Sequence, residues 1–175
     1  NYAVLDIEAI KQLKVVEIAA DDAVLALWVP SSLLQEVLDT MKSWGFRQTQ
    51  THIWVKTKNS PFEDIIKMIN WFKKPQILSF KDAIIANTLA IVKALEEFEF
   101  DQLLAFGMGR LFRQTHEVCL LGVRGKAYES LENKSQRSVH FDTNKKHSAK
   151  PEILQDRLEL MYPKASKLEM FARRS

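Results

Sequence analysis

Cysteine is almost absent from this chain. Cys119 is the single one in 175 residues. A lone thiol cannot staple a fold, so the chain is expected to be intracellular and reduced. Cys119 lies inside the apolar run "EVCLLGV", a setting that suits a core residue better than a nucleophile. Long apolar runs are also missing. No stretch of about 18 apolar residues occurs, which argues against a membrane-spanning helix. No cationic start followed by a short apolar segment marks a signal peptide. Glycine is scarce, five in all, and the glycines build neither a P-loop nor a Gly-x-Gly-x-x-Gly turn after the first predicted strand. The Gly-x-Ser-x-Gly elbow of a serine hydrolase does not occur. The four histidines, His52, His116, His140 and His147, show no i, i+4 zinc pairing, so no metal site is predicted.

What is present points to an ordinary folded chain. An apolar fraction of 46% supports a real core, and the length suits one domain. The net charge of +3 is small, but it is unevenly spread. Residues 1–40 hold two lysines against seven carboxylates, a net −5, whereas residues 133–150 hold five cations (Lys134, Arg137, Lys145, Lys146 and Lys150) against Asp142, a net +4. A basic segment of this kind suits a polyanion at one end of the fold, although charge alone reads more simply as a solvated loop.

The apolar pattern alternates between helix and strand. "LDIEAIKQL" reads as a short helix capped by Asp6. "AVLALWV", stopped by Pro30, reads as a buried strand. "SSLLQEVLDTMKSW" repeats apolar residues at helical spacing until Gly45. "QTQTHIWVKT", "EVCLLGVRG" and, more weakly, "SVHF" read as strands. "PEILQDRLELMY" reads as a helix with Pro151 in its first turn, and "KLEMFA" as a last strand. Strands separated by helices predict a parallel, doubly wound α/β sheet, whose ligand site lies at the carboxyl ends of the strands. Between Lys56 and Gly107 two further helices are predicted, "FEDIIKMINWF" and "FKDAIIANTLAIVKALEEF". The second is apolar over much of its circumference, more than one buried face requires, which fits equally a helix covered by a partner on one side and a helix buried within this same chain.

Four stretches concentrate polar chemistry: "WVKT", "GMGRLFRQTHEVCLLGVRGK", "KHSAKP" and "KLEMFARR". Each alone is weak. Together with "LALWVPSSLL", "MKSWGF" and "YPKASKLEMFAR", in this order and spacing, they resemble the MT-A70 family of adenosine methyltransferases. The resemblance runs from Tyr2 to Arg173 and is interrupted by the insertion. It implies a Rossmann-like class I methyltransferase sheet with flanking helices. It also implies a single domain over residues 1–175, incomplete at both ends, with a helical insertion at about 58–106. Members of the family move a methyl group from S-adenosylmethionine to the exocyclic amine of adenine in RNA or DNA. The stretch "RQTHEVCLLGVRGK" is more similar to DNA-modifying members.

The resemblance also assigns roles. Lys150 of "HSAKP" corresponds to a gate-loop lysine that meets the methionine carboxylate of the cofactor, and Arg173 to an arginine at its ribose. Tyr2 corresponds to an aromatic residue beside the substrate base. His147 and Ser148 of the gate loop are expected to bind substrate, as is Lys145, which stands where many relatives carry arginine. Lys134, Arg137, Lys145 and Lys146 are placed to hold substrate phosphates. The family pairs with a methyltransferase-like paralogue as a heterodimer, through the loop after "WVK". Here Trp71, Phe72, Ile84 and Ile85 become the expected interface residues. The family's Asp-Pro-Pro-Trp signature, which holds the amine of adenine, corresponds to a position ahead of Tyr2, so the catalytic residues fall outside these 175. Two expectations follow: most of a catalytic adenine-N6 methyltransferase domain, or a non-catalytic subunit that supports an active paralogue and binds nucleic acid. The intact "HSAKP" favours the first. Either would act inside the cell, and in the nucleus of a eukaryote.

Overall fold

A computed structural model describes residues 5–58, 88, 100–144 and 149–170. The chain falls into two compact units. One comprises Asn1–Ile53, Glu117–His140 and Lys150–Ser175, the other Trp54–His116 and Phe141–Ala149. Four strands, β1 (Ala23–Val29), β2 (Arg47–Thr57), β3 (His116–Arg124) and β4 (Val139–Thr143), form a sheet in the order β1-β3-β2-β4. Among the described residues the helices are α1 (Ile7–Lys11), α2 (Val15–Ile18), α3 (Leu34–Ser43) and α4 (Ile153–Met161).

The first unit is built by strand alternation. Leu25, Leu27 and Val29 of β1 and Val118 and Leu120 of β3 face α3, where they pack on Val37 and Met41. Gly122 continues this face of β3, and a Cβ there would stand 2.4 Å from Met41 Cε. Residues of the opposite parity, Cys119 and Leu121, look toward α4. Leu121 shares a small cavity of about 50 Å³ with Gln50, His52 and α4 residues Leu154, Arg157 and Leu158. A second cluster forms where α3 ends. Val15, Trp44 and Phe46 are buried together, and the Trp44 indole donates to the Lys11 carbonyl at 3.2 Å. Burying a large apolar side chain of this kind contributes about 1.5–3 kcal/mol, and the hydrogen bond removes the cost of an unmet indole N–H. Asp6 caps α1, accepting from the Ala9 N–H at 2.7 Å. Gly45, at φ 79°, lets the chain leave α3.

In the second unit the end of β2 is the organising element. The Lys56 N–H donates to the Thr115 carbonyl and the Lys56 carbonyl accepts from the Ala105 N–H, each at 2.8 Å, while the Lys58 N–H reaches the Leu103 carbonyl at 3.0 Å. Trp54, 1% exposed, donates from its indole to the Asp142 carbonyl at 3.0 Å.

Three expectations need correction. The sheet is not all parallel: β1 and β3 run antiparallel, Trp28 opposite Cys119 and Val29 opposite Val118. The contacts of β2 also run in the antiparallel sense against β3, since Thr49 meets Leu121 and Lys56 meets Thr115. The insertion therefore joins two strand ends at the same side of the sheet. Such a connection needs no crossover, and lengthening it adds only a slowly growing closure cost. Residues 167–170 are not a strand. The helix after Pro151 begins at Ile153 with Glu152 as its N-cap, which leaves Pro151 just outside it. The expected helices of the insertion lie outside the described residues, apart from Thr88, which is helical.

Candidate functional site

The carboxyl end of β1 and the amino end of β3 meet at one side of the sheet because the two strands run opposite ways. Trp28 projects there from β1. Glu117, two residues before Cys119, projects from β3 on the same face. Lys150, in the loop that leads into α4, closes the group. Its ammonium pairs with Glu117 Oε2 and stands 5.6 Å from the centre of the Trp28 ring. Both charged side chains are partly exposed, at 36% and 25%, so the pair is reachable from solvent. The indole beneath the ammonium supplies a cation–π contact and restricts where the lysine can sit. Cys119 lies inside this cluster, fully buried, and burial pushes its thiol up to about 12. It stays protonated at neutral pH and is a packing residue, as its sequence setting indicated.

The same face carries a second polar pair. His52 Nε2 and His140 Nδ1 lie 2.7 Å apart, with ring centroids at 4.9 Å, and the Trp28 ring meets His52 edge-on at 6.4 Å. Trp28, Cys119, His52 and His140 thus form a row across β1, β3, β2 and β4. Both histidines are almost fully buried. Burial holds His52 down at about 4, assisted by electrostatic repulsion from His140 and Arg157, so the His52 ring is neutral at neutral pH. No third metal donor joins them among the described residues.

Of the residues given site roles from the sequence, Lys134, Arg137 and Lys150 lie within the described residues. Lys150 is at the carboxyl end of β1, beside Trp28. Arg137 is placed against α4, its carbonyl accepting from Arg157, and its side chain is exposed. Lys134 is exposed as well. Tyr2, Lys145, Lys146, His147, Ser148, Arg173, Trp71, Phe72, Ile84 and Ile85 lie outside the described residues. Glu117 and Trp28 fall in stretches singled out from the sequence but were given no site role there. A charged residue at the entrance of an apolar strand and a tryptophan at the exit of another were the signals available. They could be used only once the antiparallel pairing was known.

The chain is thus a mixed α/β protein, a four-stranded sheet flanked by helices, with a cationic and an anionic side chain gathered at the carboxyl end of β1. The MT-A70 family model matches residues 1–79 and 86–175, nearly the whole chain. The chain belongs to the MT-A70 family, and it is by that membership a methyltransferase-like protein; members of the family use S-adenosylmethionine. Comparison with curated proteins gives no match.

Proposed function

We propose that this chain is a catalytic-lineage subunit of an adenine-N6 methyltransferase that takes methyl groups from S-adenosylmethionine and delivers them to adenine in nucleic acid, DNA in preference to RNA. The observation that carries this reading is the Lys150–Glu117 pair over Trp28. The methionine end of the cofactor carries an α-carboxylate and an α-ammonium, and a lysine beside a glutamate offers one opposite charge to each. The residues present therefore fit the group. Lys150 would hold the carboxylate, a flexible ammonium suiting a single anionic group. Glu117 would face the amine, and Trp28 would fix the lysine against the sheet. Bound cofactor supplies the reactive methyl group. The exposed Lys134 and Arg137 give the first unit a basic segment suited to backbone phosphates. Pairing with a methyltransferase-like paralogue through the insertion completes the proposal.

Calorimetric titration of the full-length protein with S-adenosylmethionine tests the reading. Lys150→Ala should weaken binding by about 1.5–3 kcal/mol, the scale of a charge-assisted hydrogen bond. Equal affinity in wild type and variant would remove the assignment. Transfer of labelled methyl from cofactor to an adenine-containing strand then separates a catalytic subunit from one that binds cofactor without turnover.

A further inference from the structure

The segment from Phe106 to Arg113, "FGMGRLFR", has an unusual surface. Phe106 is 74% exposed, Met108 92%, Leu111 94% and Phe112 87%. Half of eight consecutive residues are thus large apolar side chains held in water, a patch that soluble chains avoid unless it is used. The segment is nonetheless built. Its base is bonded on both sides to Lys56, through Ala105 and Thr115. Its two limbs fold back on each other so closely that a Cβ on Gly107 would stand 2.3 Å from the Gln114 carbonyl oxygen, and one on Gly109 2.0 Å from that of Phe112. Only glycine fits at such an approach. The tight tip leaves its larger side chains no interior of their own, and turns them outward.

The charges on this tip have one sign. Arg110 and Arg113 are exposed, and no Asp or Glu occurs from Gln102 to His116. The Arg113 guanidinium already lies over the Phe106 ring, 4.5 Å from its centre. Flat rings alternating with arginines match a ligand that has both flat apolar faces and negative charge. Unpaired bases on a phosphate backbone have both: the bases stack on aromatic and guanidinium planes while arginines meet the phosphates. A purely apolar partner would leave the two arginines unmet.

We propose that the glycine-folded tip from Phe106 to Arg113 is a stacking platform for single-stranded nucleic acid. It grips unpaired bases with Phe106 and Phe112, and backbone phosphates with Arg110 and Arg113. The proposal rests on the reading that the protein acts on nucleic acid, and it names a surface that holds the strand.

Fluorescence anisotropy with a labelled mixed-sequence single strand, as DNA and as RNA, tests it on the full-length protein. The variants are Phe106→Ala with Phe112→Ala, and Arg110→Gln with Arg113→Gln. All four side chains are exposed, so the melting temperature should stay at the wild-type value. The phenylalanine pair should weaken binding at least about tenfold, within the range that loss of a stacked base produces. The arginine pair should lower the slope of log affinity against log salt by about 1.4. Wild-type binding in both variants overturns the platform and leaves the nucleic-acid reading intact. No binding of either strand by the wild type overturns both. If strand binding is kept while light scattering shows the phenylalanine variant losing a partner subunit, the tip is a protein-docking surface and the proposal is wrong.

Discussion

His52 illustrates how one buried side chain ties stability to pH. It is 2% exposed and bonded to His140 at 2.7 Å. Its pKa falls from 6.5 to about 4, through burial first and then through the charges of His140 and Arg157. The unfolded chain protonates this imidazole near 6.5, whereas the folded chain resists until about 4. Between those values the unfolded state binds more protons, so stability is lost as pH falls. The full contribution is present above pH 6.5 and is lost progressively toward pH 4, with an upper limit of about 3 kcal/mol. Urea unfolding midpoints should be flat above pH 6.5 and fall below it. His52→Leu should flatten that part of the curve. A wild-type profile that is flat between pH 6.5 and 4 would contradict a buried, neutral His52. The pair could not be foreseen, because His52 and His140 are 88 residues apart and meet only through the strand order β2-β4.

At the scale of elements, β1, β2, β3, α1 and α3 were legible because each has a clear period and a clear stop. The alternation of Leu25, Leu27 and Val29, the helical spacing of Val37 and Met41, the Asp6 cap and the glycines at 45 and 125 are all local signals. Strand direction is not local. The order β1-β3-β2-β4 places the third strand between the first two, and no periodicity encodes that. Residues 167–170 failed as a strand because a short apolar and polar mixture fits an extended segment that no neighbour pairs. The β1–β3 pair has its own lock. Gly125 turns at φ 58°, and the Lys126 N–H behind it donates to Asp22 Oδ1 at 2.6 Å. A Cβ at this glycine would meet Asp22 Oδ1 at 2.3 Å and the Asp21 carbonyl oxygen at 2.4 Å. Gly125→Ala should therefore cost about 1–3 kcal/mol, strain and displacement of the Asp22 contact acting together. Denaturant midpoints measure it. A wild-type midpoint would mean that the turn rearranges freely.

For the molecule as a whole, family membership came from motifs that survive in order along the chain, and the matched residues 1–79 and 86–175 agree with them. The site was only half legible. "HSAKP" marked Lys150, but the glutamate that meets it lies 33 residues earlier and comes into reach only in the folded chain. The central claim is that Lys150 and Glu117 receive the two charges at the methionine end of S-adenosylmethionine. Calorimetry of the full-length protein with S-adenosylmethionine and with its decarboxylated analogue tests this most directly. Wild type should bind the analogue less tightly than the cofactor. Lys150→Ala should lose about 1.5–3 kcal/mol toward the cofactor and almost nothing toward the analogue, so that the two ligands become nearly equal. If Lys150→Ala weakens both ligands alike, or neither, Lys150 does not hold the carboxylate and the account is wrong at its centre.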